Sequence, residues 1–174
     1  MVTIHSEDPF ADPPERRDDV RRFRARLGGT VSLWTAGDPA LGADRTGLTV
    51  SSLMVARGEP GHVLALVDPD SDLAETVAAT GRCVVQLLEW RHRALADAFA
   101  GIAPAPGGPF RLASWQQSPW GPVLDGASSW AGLRVVATHE VGWSLLLDGG
   151  VERVELAEQV APLVHRRGRY LRPG

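Results

Sequence analysis

Short segments of alternating apolar and polar residues, separated by turn residues, are the feature that most limits how this chain can fold. From residue 110 onward the segments are β-rich and are separated by turns that contain glycine, proline or aspartate. Such alternation is typical of antiparallel strands, because successive side chains of a strand point to opposite faces. The strands predicted in this half are Phe110 to Trp115, Val123 to Leu124, Trp130 to Val141, Trp143 to Leu147 and Val151 to Leu156.

The first half of the chain combines further strands with helices. The strands predicted there are Thr30 to Ala36, Thr46 to Val55, His62 to Val67 and Arg82 to Leu88. Apolar residues three or four apart predict helices at Glu15 to Leu27, Asp72 to Thr80 and Arg91 to Ala100. In the first helix, Val20, Phe23 and Leu27 share a face that we expect to dock on the rest of the chain. With only three helices, the pattern predicts a mainly β fold, an antiparallel barrel in which six or seven of these short strands take part and the helices lie outside.

Length and composition indicate one domain. The chain has 174 residues and 44% hydrophobic content, enough for a single core, and we place the domain at residues 15–174. Residues 1–14 mix acidic residues with three prolines and show no apolar periodicity. This segment is predicted to be a mobile N-terminal tail.

Charge and cysteine content indicate which partners and which cell compartment are expected. The formal net charge is −3 at pH 7, so no overall basic field attracts nucleic acid or an anionic membrane. All 18 basic residues are arginines, which excludes lysine chemistry. The single cysteine, Cys83, falls in a predicted buried strand and is expected to be a core residue. With no intramolecular disulfide and no long apolar segment, the sequence predicts a cytoplasmic protein.

Several common catalytic and metal-binding patterns are missing from the sequence. Gly-x-Ser-x-Gly, His-Glu-x-x-His and paired cysteines do not occur, and no Gly-x-Gly-x-x-Gly follows a strand. The histidines are scattered without metal-ligand spacing: His5, His62, His92, His139 and His165. The sequence predicts neither a metal site nor a nucleophilic triad, and it assigns no catalytic residue.

The stretch from Gly47 to Leu53 is the best candidate for binding a cofactor or an anion. A glycine precedes Thr49, Ser51 and Ser52, and short hydroxyls beside free N–H groups allow close approach of a phosphate. The competing interpretation is a solvated face of an edge strand. Ser71 or its neighbour Asp70 is expected to cap the following helix, whose first N–H groups would add donors.

Five short motifs resemble those of the flavin reductase family, and they run in the family's order from residue 29 to residue 170. The motifs are Gly29-Thr30-Val31 with Trp34-Thr35-Ala36, Gly47 to Leu53, Phe99-Ala100-Gly101, Pro122 to Ala127, and Pro162 to Tyr170.

This resemblance implies an FMN-binding split β-barrel that forms a homodimer with flavin near the subunit interface. It also implies hydride transfer from NAD(P)H to FMN or FAD, with a separate monooxygenase as an expected partner for the reduced flavin. By position, the implied flavin contacts are Thr35, Thr49, Val50, Ser51, Ser52, Asp70, Ser71, Phe99, Ala100 and Gly101.

The chain departs from the family on the nicotinamide side of the implied site. The family's Gly-Asp-His triplet reads Gly142-Trp143-Ser144 here, so Trp143 and Ser144 take the positions of the acid and the imidazole. Two functions stay open: a flavin reductase, and a flavin-binding carrier, sensor or oxidase that does not use NAD(P)H. A coenzyme F420 or haem-binding split barrel is a more distant alternative.

Overall fold

The computed structural model describes residues 19–127, 129–158, 161–172 and 174. The predicted tail at 1–14 and the predicted start of the first helix at 15–18 lie outside these residues. The described helices are α1 (Asp19–Leu27), α2 (Asp72–Thr80) and α3 (Arg93–Phe99). The described strands are β1 (Gly29–Thr30), β2 (Ser32–Ala36), β3 (Thr46–Val50), β4 (Leu53–Ala56), β5 (His62–Val67), β6 (Arg82–Leu87), β7 (Trp115–Ser118), β8 (Gly121–Leu124), β9 (Ser129–Val141), β10 (Ser144–Leu156), β11 (Val164–Arg166) and β12 (Arg169–Leu171).

Seven strands form one curled antiparallel sheet in the order β3-β2-β6-β9-β10-β5-β4. Its edge strands, β3 and β4, are consecutive in the chain and are separated only by Ser51 and Ser52. Adjacent Cα atoms are about 3.8 Å apart, so the Cα atoms of Val50 and Leu53, which end β3 and begin β4, are at most roughly 11 Å apart. The sheet therefore curls back on itself, and the Leu66 amide donates to the Ser52 carbonyl at 3.0 Å. The predicted mainly β, antiparallel barrel is confirmed.

The inside of the barrel holds the larger part of the core. Trp34, Leu133 and Leu147 have at most 1% exposure there. Cys83 lies in the same cluster, and burial raises the pKa of its thiol to about 12. The prediction that Cys83 is a core residue is confirmed, because a thiol with this pKa stays protonated and unreactive at neutral pH.

A second core lies between the outer face of β2 and helix α3. Leu33, Leu88, Phe99 and Leu163 pack together there. Two small sheets complete this side of the barrel: the β7–β8 hairpin, and the three strands in the order β1-β11-β12. Both faces of β2 are consequently buried, one inside the barrel and one beneath these covering elements.

The helices show one confirmed and one wrong prediction. Helix α2 begins after Ser71, whose hydroxyl accepts from the Ala74 amide at 3.2 Å, and it ends at Gly81 in the left-handed conformation. In α1, Phe23 and Leu27 are 65% and 67% exposed, so the predicted docking of this apolar stripe on the chain is wrong. The helix instead meets the turn between β11 and β12 through its backbone, where the Arg167 amide donates to the Ala25 carbonyl.

Five strand predictions need correction. The predicted strand Thr30 to Ala36 is interrupted at Val31, because β1 and β2 belong to different sheets. The predicted strand Thr46 to Val55 is broken at Ser51 and Ser52, because the chain passes there from one sheet edge to the other. Phe110 belongs to a short 3-10 helix, Pro109–Leu112, rather than to a strand. The predicted strands Trp143 to Leu147 and Val151 to Leu156 form the single strand β10, because Gly149 and Gly150 continue the ladder through a bulge. In the described part of the chain, no helix is long and apolar enough to cross a membrane.

Candidate functional site

A groove of about 720 Å³ lies beside the break between β3 and β4. Its walls come from α1, β1, the break itself, β4, β5, β10, β11 and the turn between β11 and β12. This volume falls in the range of about 300–1,000 Å³ that is usual for small-molecule and cofactor sites. The groove is therefore the candidate functional site.

Ser51 and Ser52 line the groove because neither residue belongs to a strand. The Ser52 hydroxyl accepts a hydrogen bond of 2.9 Å from Nη2 of Arg24 on α1. Arg21, one helical turn earlier, lines the same wall. Guanidinium and hydroxyl groups together form a polar, cationic part of the groove.

The rest of the wall is mainly aliphatic. Met54, Leu64, Leu66 and Leu146 line it from the edge of the barrel. Met54 and Leu66 remain 67% and 37% exposed, so apolar surface is available to a ligand. Among the described residues, no acidic side chain lines the groove. The site thus suits an anionic ligand that also carries a large apolar ring.

The Gly47 to Val50 part of the motif supports helix α3 instead of lining the groove. A Cβ atom at Gly47 would lie 2.6 Å from the Phe99 ring, so this glycine allows the ring to pack directly on β3. The Thr49 hydroxyl donates to the Ala96 carbonyl at 2.7 Å, and Val50 is buried in the barrel core. The close approach that the glycine makes possible is therefore to an aromatic side chain of this chain.

Thr35 and Phe99 are enclosed by the chain itself. Thr35 has no exposed surface, and its hydroxyl donates to the Pro122 carbonyl at 2.6 Å and accepts from the Gln86 amide at 3.0 Å. Phe99 is 5% exposed and stacks edge-on against Phe110 and Trp115. Both residues were predicted to contact flavin. Tertiary packing already uses their side chains, and the flavin contacts stay a prediction.

The remaining predicted contacts lie on turns outside the groove lining. Asp70 is exposed, and the Ser71 hydroxyl donates to the Asp68 carbonyl at 2.7 Å while it caps α2. Ala100 and Gly101 are exposed at the end of α3. The structure therefore brings Ser51 and Ser52 together in the groove, and these four residues are not part of its lining.

Trp143 and Ser144 lie at the tip of the β9–β10 hairpin. Val141 pairs with Ser144, so Gly142 and Trp143 form a two-residue turn in which Gly142 has the positive φ of 58°. The Trp143 side chain is 94% exposed and does not line the groove. Within one chain, this tryptophan neither fills nor blocks the candidate site.

Reasoning from the sequence identified Ser51 and Ser52 in the groove and missed its other residues, among them Arg24, His165 and Gly168. Arg24 was read as part of a surface helix, and His165 and Gly168 were seen only as members of a motif. His165 pairs with Gly29 across β1 and β11, which brings its ring to the groove. The spacing of Arg21 and Arg24 on one helical face was the signal in the sequence that could have identified this wall.

Tyr170 ties the strand next to His165 to helix α3. Its hydroxyl donates to Oδ1 of Asp97 at 2.7 Å, and its ring meets the His165 ring edge-on at 5.8 Å. Burial raises the pKa of Tyr170 well above its usual range, and the hydrogen bond to Asp97 adds to the shift. The phenol therefore stays protonated and holds this wall in place.

The sequence profile described as the flavin reductase like domain matches residues 24–174. The chain belongs to the flavin reductase-like family. The resemblance carried by the five motifs is thereby confirmed.

Curated relatives and solved structures agree with this membership. FMN reductase (NADH) RutF of Ancylobacter novellus is 34% identical over 131 residues, covering 75% of this chain and 70% of the relative. The 4-hydroxyphenylacetate 3-monooxygenase reductase component of Pseudomonas aeruginosa is 28% identical over 152 residues, covering 86% and 88%. The structure of NADH:FAD oxidoreductase SgcE6 of Streptomyces globisporus superposes with a TM-score of 0.80 at 20% identity, covering 94% of this chain and 91% of that one. This last likeness shows that the fold is shared.

The groove residues fit the chemistry of a flavin. Aliphatic side chains at Met54, Leu66 and Leu146 suit an isoalloxazine ring, and Arg24 with the two serines suits a phosphate. The absence of acidic side chains from the described lining removes a source of repulsion for an anionic cofactor.

Proposed function

We propose that this chain is an NAD(P)H-dependent flavin reductase that binds FMN or FAD in the groove beside Ser51 and Ser52. The observation that carries the proposal is the lining, in which arginine and serine side chains adjoin an aliphatic wall. A relative named FMN reductase (NADH) matches three quarters of the chain, which supports the same reaction and NADH as the reductant.

When bound, the flavin supplies the hydride chemistry, so the protein's contributions are binding, orientation and exclusion of water. Ser51 and Ser52 offer hydroxyl groups to the ribityl or phosphate oxygens. Met54, Leu66 and Leu146 remove the ring from water. His165 presents an imidazole in the same wall and is the candidate for the nicotinamide side.

The test is anaerobic stopped-flow bleaching of the flavin band with NADH and with NADPH. Because Trp143 and Ser144 replace an acid and an imidazole, the wild type is expected to saturate weakly with nicotinamide. A variant carrying Trp143→Asp and Ser144→His should saturate at lower nicotinamide concentration. If the wild type already saturates at low micromolar NAD(P)H and the variant is no better, these two positions do not control reductant use.

A second candidate is a flavin-binding carrier, sensor or oxidase with another reductant. The Gly142-Trp143-Ser144 sequence at the hairpin tip is the observation that favours it. In that case the protein would bind flavin, and dithionite would reduce the bound flavin. Neither NADH nor NADPH would bleach the flavin band at any concentration.

We propose that the chain forms a homodimer with the groove next to the subunit interface. Leu27 and Met54 border the groove and are 67% exposed, and Val55 on the edge strand β4 is 71% exposed. Exposed apolar surface of this kind marks interaction sites, and obligate dimers bury about 2,000 Å² or more.

Sedimentation should give a dimer, and Met54→Asp should shift it towards monomer. A wild-type monomer that binds flavin at micromolar concentration would contradict the proposal.

We further propose that the reduced flavin serves a separate monooxygenase. The relative named as a monooxygenase reductase component supports this, since it covers 86% of the chain. Coupled assays with candidate oxygenases encoded near this protein would identify the partner. The cytoplasmic location stays a prediction.

A further inference from the structure

We propose that Arg24 is the residue that distinguishes phosphorylated from unphosphorylated flavin, by binding the phosphate at the Ser51–Ser52 break. The proposal rests on the proposed function, and it adds a specific residue from outside the barrel. It also assigns a role to α1, whose predicted docking on the chain proved wrong.

The position of the guanidinium is the first step of the argument. Nη2 of Arg24 lies 2.9 Å from the Ser52 hydroxyl, and both residues line the groove. Ser52 lies in the break between β3 and β4, where its hydroxyl faces the groove. A phosphate at this position would accept from Arg24 and from the serine hydroxyls together.

Charge is the second step. The chain contains no lysine, so arginines and histidines are its cationic side chains apart from the N-terminus. Those that line the groove within the described residues are Arg21, Arg24 and His165. The Arg24 guanidinium donates a hydrogen bond to Ser52 of the break. Ile102, which follows the Phe99-Ala100-Gly101 turn, is 76% exposed and offers no charge.

Two other arginines of α1 differ from Arg24 in their partners. Arg22 pairs with Asp19, and the Arg26 guanidinium donates to the Arg22 carbonyl on the helix itself. Neither Arg22 nor Arg26 lines the groove. Arg26 is therefore a matched control: it has the same side chain and the same helix, but it does not reach the break.

The experiment compares FMN with riboflavin, which differ only in the phosphate, by quenching of flavin fluorescence. Arg24→Gln should weaken FMN binding by about ten-fold to a hundred-fold, because a hydrogen bond to a charged group is lost. Riboflavin binding should change less than two-fold. Arg24→Lys should fall between wild type and Arg24→Gln, and Arg26→Gln should leave both affinities unchanged.

Three results would overturn the inference. Equal affinity of the wild type for FMN and riboflavin would show that the protein binds flavin without a phosphate site. If Arg24→Gln lowers the affinity for both flavins equally, Arg24 only holds the serine break in place through its hydrogen bond to Ser52. Ser52→Ala should then lower both affinities by the same amount. If the wild type binds neither flavin, the proposed function fails and this inference fails with it.

Discussion

Hydroxyl groups only three residues apart in one motif have different roles in this protein. Thr49 donates to a carbonyl of α3, whereas Ser52 accepts from Arg24 in the groove. The difference arises because Thr49 lies on the outer face of β3 and Ser52 lies beyond the end of that strand. At the scale of single residues, side-chain type alone therefore does not identify a ligand contact.

The two serines of the break should contribute measurably to flavin binding. Replacing Ser51 and Ser52 together with alanine should weaken binding by roughly five-fold to a hundred-fold, since each neutral hydrogen bond contributes about 0.5–1.5 kcal/mol. Titration of flavin fluorescence measures the effect, with Ser114→Ala, an exposed serine outside the groove, as the control. Unchanged affinity would mean that these serines are only solvated.

Loss of the Tyr170 hydroxyl should destabilise the fold and change its response to alkali. Tyr170→Phe should lower the free energy of unfolding by about 1–2 kcal/mol, because the bond to Asp97 is lost. The raised pKa of Tyr170 means that the unfolded chain loses the phenolic proton first. The stabilisation that the Tyr170 hydroxyl provides should therefore be fully present below pH of about 10. It should be lost as the pH rises above this value.

Urea denaturation between pH 8 and 11 measures this effect. Wild type should lose stability above pH of about 10 more steeply than Tyr170→Phe. Parallel curves for the two proteins would show that the hydroxyl is not protected in the folded state.

At the scale of elements, Gly47 couples β3 to α3. The Phe99 ring occupies the space that a side chain at this position would need, and Phe99 also carries the stack with Phe110 and Trp115. Phe99, the first residue of the Phe99-Ala100-Gly101 motif, therefore holds the helix against the strand that leads to the serine break.

Gly47→Ala should destabilise the protein by about 1–3 kcal/mol, because the new Cβ would overlap the Phe99 ring. The melting temperature and urea midpoint measure the change. Gly61→Ala is the control, since a Cβ there would make only ordinary contacts and its φ is not positive. Equal stability of the two variants would contradict direct packing of Phe99 on β3.

At the scale of the whole molecule, positive charge is concentrated beside the groove although the net charge is −3. Helix α1 carries four arginines against one aspartate, and residues 161–172 carry four arginines and no acidic residue. The two segments touch, because the Arg167 amide donates to the Ala25 carbonyl. A local field of this sign attracts anionic ligands to the groove.

Removing part of this field should slow the capture of flavin phosphate. Arg167→Gln should lower the association rate for FMN by a few-fold at low ionic strength, and the difference should vanish near 1 M salt, where the Debye length is about 3 Å. Stopped-flow fluorescence measures the rates. Arg57→Gln, an exposed arginine on the β4–β5 turn that does not line the groove, should leave the rate unchanged. A salt-independent loss in Arg167→Gln would indicate a local contact rather than a field.

The sequence by itself determined the strand-rich architecture, most element positions and the family. These properties depend on local signals: the mostly apolar run of β5, the Ser71 cap and Gly81 end of α2, and motifs that are contiguous in the chain. Local signals also placed Cys83 in the core and identified Ser51 and Ser52 as candidates.

Only the tertiary structure decided which residues form the groove. Arg24, Ser52 and His165 are far apart in the chain, and they meet because the barrel closes at the serine break and β11 pairs with β1. The same closure buries Thr35 and Phe99 and leaves Phe23 and Trp143 in solvent. Periodicity reports which face of an element is apolar, but it does not report which other element, or which second chain, covers that face.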